Sequence, residues 1–144
     1  MSLFPDTMPA PEPNMVDEAY WAYLRDRKLK FQRCAVCETL RHPPAPVCPS
    51  CRNSVCTWVE APTEAHIYSY TIVHHPSHPA VRECLPYVVG LIEFPGLPTV
   101  RLVSNIWKAP PETIHVGMAV ALEWEETLSG PLPRFRPADA RVAV

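Results

Sequence analysis

Apolar and polar residues follow three rhythms along the chain, and each predicts a different kind of element. Residues 1–14 show no period: Leu3, Phe4 and Met8 are isolated among Pro5, Pro9, Pro11 and Pro13. Such a segment cannot order itself by burying apolar surface, so it reads as a mobile or draped tail, with Phe4 as the side chain to pin it to a partner. From Asp17 to Lys28 the spacing turns helical. Tyr20, Tyr23, Leu24 and Arg27 share a stripe, with Trp21 beside it. Asn14 suits the N-cap. Asp17 and Glu18 open the segment and Arg25, Arg27 and Lys28 close it, as the helix dipole favours. After this the pattern is that of strands. Leu29–Arg33 and Ser54–Glu60 are short ones. His66–His75 is β-branched and aromatic, long enough to bend around a small barrel. Tyr87–Phe94, Thr99–Ile106, Gly117–Glu125 and Gly130–Arg136 follow. Pro76–Pro86 reads as a loop, Pro95–Pro98 as a tight turn and Ala109–His115 as room for one helical turn.

The first two strands flank a cysteine pattern. Cys34-Ala-Val-Cys37 and Cys48-Pro-Ser-Cys51 are two Cys-x-x-Cys knuckles, and the spacer between them carries Pro43, Pro44 and Pro46. Prolines keep that spacer out of helix. Four thiolates in two such pairs suit a closed, tetrahedral Zn²⁺ site. Two disulfides are the plain alternative. Iron in a rubredoxin-like site is the lesser metal reading, because Glu38 and Arg52 follow the pairs where such knuckles usually carry Gly. The expected fold is therefore mainly β. An N-terminal helix and a rubredoxin-like zinc ribbon precede a five-stranded OB-fold barrel. The strands alone are also compatible with an SH3-like barrel or a small sandwich. A tail (1–14), a helix-and-ribbon unit (15–60) and a barrel with a C-terminal tail (61–144) are the expected parts. The turn Ala61-Pro62-Thr63-Glu64 marks the boundary between the last two.

Composition narrows the function classes. The chain has 144 residues, 19 prolines but only 4 glycines, and a net charge of −2. Stiff turns rather than flexible linkers follow from the first counts. Near-neutral charge argues against nucleic acid as the main partner. The N-terminus has no basic region followed by an apolar run, and no stretch approaches the length of a membrane span. Cysteines in this setting point to a reducing, cytoplasmic location.

Chemistry outside the knuckles is sparse. Cys84 shares a stretch with Glu83, His74, His75 and His78, but a proline-rich loop is a poor scaffold for a nucleophile and its base. The histidines fit a solvated or interface loop better than a second metal site. Cys56 fits a small strand residue near the ribbon better than a fifth ligand.

An ordered set of short motifs carries a resemblance. After the aromatic helix come Phe31-Gln32-Arg33-Cys34, Pro43-Pro44, Cys48-Pro49, Tyr68-Ser69-Tyr70-Thr71 and Pro86-Tyr87-Val88-Val89. Gly117-Met118 and Leu132-Pro133 complete the set. Together they resemble the zinc-ribbon/OB-fold family associated with acyl-CoA metabolism, over about Asp17 to Pro137. The resemblance implies a non-catalytic partner of thiolase-like enzymes, hydroxymethylglutaryl-CoA synthase-like enzymes, steroid side-chain aldolases or hydratases. It also implies acyl-CoA as a ligand. The phosphates of CoA call for Lys or Arg, and its adenine for a flat aromatic face. Trp21, Arg25, Lys28, Lys30, Arg33 and Arg41 are the residues expected to contact acyl-CoA or the partner. A solvated basic helix end is the plainer account of the same run. The rival class is a single-stranded nucleic-acid module, with bases stacked on exposed aromatics. Glu38 departs from the family pattern, in which Gly often follows the first knuckle. The aromatic helix, the Pro43-Pro44 loop and the His74–Pro86 loop are the expected docking features.

Overall fold

The computed structural model describes residues 2–138. Helix α1 spans Glu18–Arg25. Ahead of it, the Asn14 N–H donates to Asp17 Oδ1 at 2.7 Å, and Asn14 Oδ1 accepts from the N–H groups of Val16 and Asp17 at 2.8 and 3.2 Å. This reciprocal box shapes residues 15–17 into a turn, so the helix proper begins just after it, with Asp17 rather than the expected Asn14 at the N-cap position. The helix stops short of Lys28 because Arg27 takes a left-handed φ of 54°.

Strands β1 (Lys30–Cys34), β2 (Leu40–Arg41) and β3 (Cys56–Glu60) form an antiparallel sheet in the order β2-β1-β3. The two-residue β2 has no hydrophobic period of its own, and the sequence pattern does not reveal it.

Five strands close the barrel: β4 (Glu64–Val73), β5 (Tyr87–Phe94), β6 (Leu97–Ile106), β7 (Ala119–Thr127) and β8 (Gly130–Pro137), in the order β4-β5-β6-β8-β7. This closed five-stranded barrel matches an OB fold. A register shift between Ile67 and Ser69 bends β4, which pairs with β5 along most of its length and with β7 at its start. Glu64, expected in a turn, already belongs to this strand. The β5–β6 turn is tighter than expected, with Gly96 at φ +79°, so Leu97 and Pro98 lie in β6. The Pro76–Pro86 stretch contains a 3-10 segment, Pro79–Cys84, that buries Val81. Between β6 and β7 there is one 3-10 turn, Pro111–Thr113.

Strand β8 places Pro131, Pro133 and Pro137 at alternate positions. Proline has no N–H, so on its side of the strand only Phe135 can donate to a ladder. That side faces β6. There β6 and β8 share a single register pair, Ile106 with Phe135, while β7 and β8 pair along the whole strand. The seam is joined instead through carbonyls. Ser104 Oγ donates to the Pro133 carbonyl at 2.7 Å, and the Trp107 N–H to that of Phe135 at 2.9 Å.

One hydrophobic cluster runs through both halves. Tyr20, Leu24, Leu29 and Phe31 from the helix and ribbon join Ile67, Ile92, Phe94, Val100, Val120 and Phe135 from the barrel. Gly90 is needed within it, since a Cβ there would lie 2.9 Å from Ile106 Cδ1.

The N-terminal segment lies against the barrel. The Leu3 N–H donates to Glu125 Oε1 at 3.2 Å, and Phe4 meets Tyr87 edge-on with centroids 5.1 Å apart. Residues 139–144 of the expected C-terminal tail lie outside the described residues. Among the described residues no helix is long and apolar enough to cross a membrane.

Candidate metal centre and docking surface

Each knuckle is a tight turn that opens with a buried cysteine. The Glu38 N–H donates to the Cys34 carbonyl at 3.1 Å and the Arg52 N–H to that of Cys48 at 3.0 Å. The turns are completed by left-handed φ values, 62° at Glu38 and 66° at Arg52. Thus Glu38 adopts the backbone that Gly would supply more easily, and the loop geometry is kept. The Val36 and Ser50 N–H groups donate to the sulfurs of Cys34 and Cys48, each at 3.4 Å.

The four sulfurs converge. Cys34 and Cys51 Sγ are 3.4 Å apart, Cys37 and Cys48 Sγ 3.5 Å, and all four lie within 4.8 Å of one another. Four sulfurs held tetrahedrally at zinc's usual distance would be about 3.8 Å apart. The donor set therefore fits a closed tetrathiolate zinc site. Cys34 and Cys48 are buried, while Cys37 and Cys51 reach the surface. The N–H groups of Cys37 and Val36 lower the Cys34 thiol below its ordinary range. Those of Cys51 and Ser50 bring Cys48 down to about 6. The Asn53 N–H favours the Cys51 thiolate, but the crowd of neighbouring sulfurs and desolvation outweigh it and push that thiol up to about 11. A divalent cation would relieve this crowding by taking all four as thiolates. Cys56 lies outside the group, although it faces Cys34 across the β1–β3 pair, and Gln32 Nε2 approaches its sulfur at 3.7 Å. Among the described residues, His74, His75, His78 and Cys84 form no metal-sized cluster.

A bracket holds the loop between the knuckles. Gln32 Oε1 accepts from Arg41 Nε at 3.0 Å and from the Ala45 N–H at 2.8 Å. Arg41 Nη2 and Nε also donate to the Ala45 carbonyl, at 3.2 and 3.3 Å. Arg41 is therefore turned into the fold, unlike the exposed contact residue expected from the basic run. His42 sits against Tyr20 and Phe31, with centroids 5.1 and 5.0 Å away. Desolvation there holds the imidazole down at about 4 and keeps the Tyr20 phenol well above its usual range.

The remaining contact residues divide. Trp21 is half-buried and lines a groove with Arg25, Pro11, Pro13, Pro131 and Leu132. Lys30 Nζ lies 4.5 Å above the Tyr23 ring, and Tyr23 in turn packs on Trp58. Lys28 and Arg33 are exposed. The helix stripe thus turns Tyr20 and Leu24 into the core, leaving Trp21 and Arg25 at its edge.

The ChsH2 rubredoxin-like zinc ribbon domain matches residues 21–55, and the ChsH2 C-terminal OB-fold domain matches residues 58–125. A chain of the solved "Ltp2-ChsH2(DUF35) aldolase" superposes with a TM-score of 0.81 at 42% identity, covering 90% of this chain and 99% of that one. The chain belongs to the ChsH2 zinc-ribbon/OB-fold family, DUF35. A DUF35-family structure from Sulfolobus solfataricus shares the fold at a TM-score of 0.63 and 20% identity, covering 86% of each chain. Among curated relatives, a probable enoyl-CoA hydratase alpha subunit of Thermomonospora curvata is 45% identical over 85% of this chain and 38% of its own length. The 3-oxo-4,17-pregnadiene-20-carboxyl-CoA hydratase alpha subunit of Mycobacterium tuberculosis is 27% identical over 82% of this chain and 36% of its own. The chain thus spans little more than a third of these two relatives. A DUF35 domain-containing scaffold protein of Methanocaldococcus jannaschii is 28% identical over 69% of this chain and 70% of its own.

Two polar networks of this ChsH2-type chain escape sequence reasoning. One is the Gln32–Arg41–Ala45 bracket. The other lies on the barrel, where Arg134 Nε donates to Glu125 Oε2 at 2.7 Å and Nη1 to Asn105 Oδ1 at 2.8 Å. Glu125, Asn105 and Gln32 are all buried. The signal for the second network is the short β7–β8 hairpin, which sets Arg134 near Glu125 across the strands.

Proposed function

We propose that this chain is a non-catalytic, zinc-binding subunit of an acyl-CoA-processing enzyme, which it holds and helps to present with acyl-CoA. The observation that carries the reading is the 42%-identical superposition on 99% of a chain from the Ltp2–ChsH2(DUF35) aldolase. The hydratase alpha-subunit and scaffold names of other relatives point the same way. Zinc held by Cys34, Cys37, Cys48 and Cys51 would have four protein ligands, which suits a structural rather than a Lewis-acid role. The nucleophile then belongs to the partner, a thiolase-like, aldolase or hydratase protein. Trp21 and Arg25 on one groove, with exposed Lys28 and Arg33 nearby in sequence, supply the aromatic and cationic groups that docking and CoA phosphates call for. Lys30, stacked on Tyr23, contributes its charge to the same helix end.

The test is co-expression of the tagged chain with an acyl-CoA aldolase or hydratase from the same genome. Co-purification and partner activity are expected, and Trp21→Ala/Arg25→Ala should weaken recovery at least about tenfold with zinc content and melting temperature unchanged. Calorimetry with acetyl-CoA on the complex checks the ligand. A chain that recovers no acyl-CoA enzyme and instead binds single-stranded oligonucleotides with steep salt dependence would overturn the reading.

A further inference from the structure

The N-terminal segment lies on a built site while making few bonds to it. Residues 2–13 form no helix or strand: Pro5–Met8 closes a turn, the Met8 N–H donating to the Pro5 carbonyl at 2.9 Å, and Pro9, Pro11 and Pro13 keep the rest out of helix. Of their side chains only Leu3, Phe4 and Met8 are partly covered, the rest being exposed. The barrel carboxylate that receives the segment is itself buried and bonded. Glu125 is 3% exposed and has one oxygen on Arg134 and the other on the Leu3 N–H. Phe4 seats its ring edge-on to Tyr87, with the Arg134 guanidinium 5.9 Å from its centroid. Beneath the segment a cavity of about 240 Å³ stays unfilled, lined on the barrel side by Glu125, Thr127, Leu128, Leu132 and Arg134.

A carboxylate that receives a backbone N–H, a ring-sized seat and an apolar trough are the parts of a site for a short peptide segment. Where the segment leaves the barrel, Asn14 and Met15 are exposed, Met15 at 94%, so the exit is unrestrained by packing. Leu128, at the tip of the hairpin, is 84% exposed beside the same trough. We propose that this cleft is a binding site for a proline-bearing peptide that leads with an aromatic side chain and turns after it, and that residues 2–13 occupy it in cis as a displaceable strap. Pro11 and Pro13 share their groove with Trp21 and Arg25, so seating the strap covers that surface and releasing it uncovers it.

A labelled peptide copying residues 2–13, titrated into the full-length chain by fluorescence anisotropy, tests it. The tethered segment competes at an effective concentration of order millimolar, so the wild type should bind the peptide weakly. Full-length Phe4→Ala, whose own strap is loosened, should bind it at least about tenfold more tightly. Adding Tyr87→Ala to that variant, or Phe4→Ala to the peptide, should abolish the gain. Hydrogen exchange on the wild type gives the second readout: amides of residues 3–8 should exchange far faster than those of β7. Phe4→Ala binding no better than wild type would overturn the proposal. So would strap amides as protected as those of β7, or unfolding of Phe4→Ala, which would make the segment part of the core.

Discussion

Phe31, on the ribbon, and Phe94, on the barrel, pack with ring centroids 5.3 Å apart, and Phe94 continues to Phe135 at 6.0 Å. Both rings of the first pair are buried. A ribbon this small cannot hold itself by apolar burial alone. The four-cysteine site on one side, once it holds a metal, and this aromatic chain on the other would give it two anchors, and the second makes it continuous with the barrel core.

Truncating Phe31 should therefore be felt in both halves. Phe31→Ala should cost about 3–5 kcal/mol, as for other fully buried aromatics. Denaturant melts followed at Trp58 in the ribbon and Trp124 in the barrel should shift together. A shift confined to the Trp58 signal would show that the halves unfold independently.

Metal should be required for the ribbon. Elemental analysis should find one zinc per chain. Cys34→Ser or Cys48→Ser, removing a buried ligand, should lose it, and a strong chelator should lower the melting temperature. Structural zinc contributes about 10 kcal/mol or more of apparent binding energy, so the loss is large. A folded, metal-free wild type containing two disulfides would contradict this.

Arg134→Met should be severe. It leaves the Glu125 carboxylate buried and without its cation, a change that costs about 3–5 kcal/mol. Arg134→Met/Glu125→Leu should recover much of that, because no charge is then stranded. Urea melts of both variants check it; an equally destabilised double variant would place the cost in packing instead.

His42 should make stability acid-sensitive. Its imidazole is held down at about 4 in the fold, against an ordinary 6.5, and its Nδ1 is buried without a partner. Between these values the unfolded chain binds the proton and the folded chain does not, so stability is full above pH 6.5 and falls as pH approaches 4. The contribution is up to about 3 kcal/mol. The difference in stability between wild type and His42→Leu, followed from pH 7 to pH 4 at fixed zinc, should carry that slope. A flat difference would show that His42 is solvated.

The sequence carries most of this fold because its signals are local. The Cys-x-x-Cys pairs, the five apolar strands and the Asn14–Asp17 spacing each act within a few residues. What it hides depends on contacts that no periodic spacing announces. Arg41 reads as one more cation of a basic run, yet Gln32 and the Ala45 carbonyl turn it inward. Leu40–Arg41 becomes a strand only because β1 offers it a ladder. The helical stripe already sets Tyr20 apart from Trp21, but only packing shows that Trp21 ends at the edge of a groove with Arg25. Glu38 reads as a departure from Gly, whereas its φ of 62° shows a side chain tolerated in the same turn.

The alternating prolines of β8 also bear on how copies of this chain behave at high concentration. An open strand edge normally offers N–H and C=O groups on which another chain can template aggregation. On the seam side of β8, Pro131, Pro133 and Pro137 offer carbonyls without donors, and two of the carbonyls on that side, Pro133 and Phe135, already accept from Ser104 and Trp107. A foreign strand arriving at the thinnest join of the barrel would find almost no ladder to extend, so the seam is guarded against fibre growth where its own pairing is sparsest.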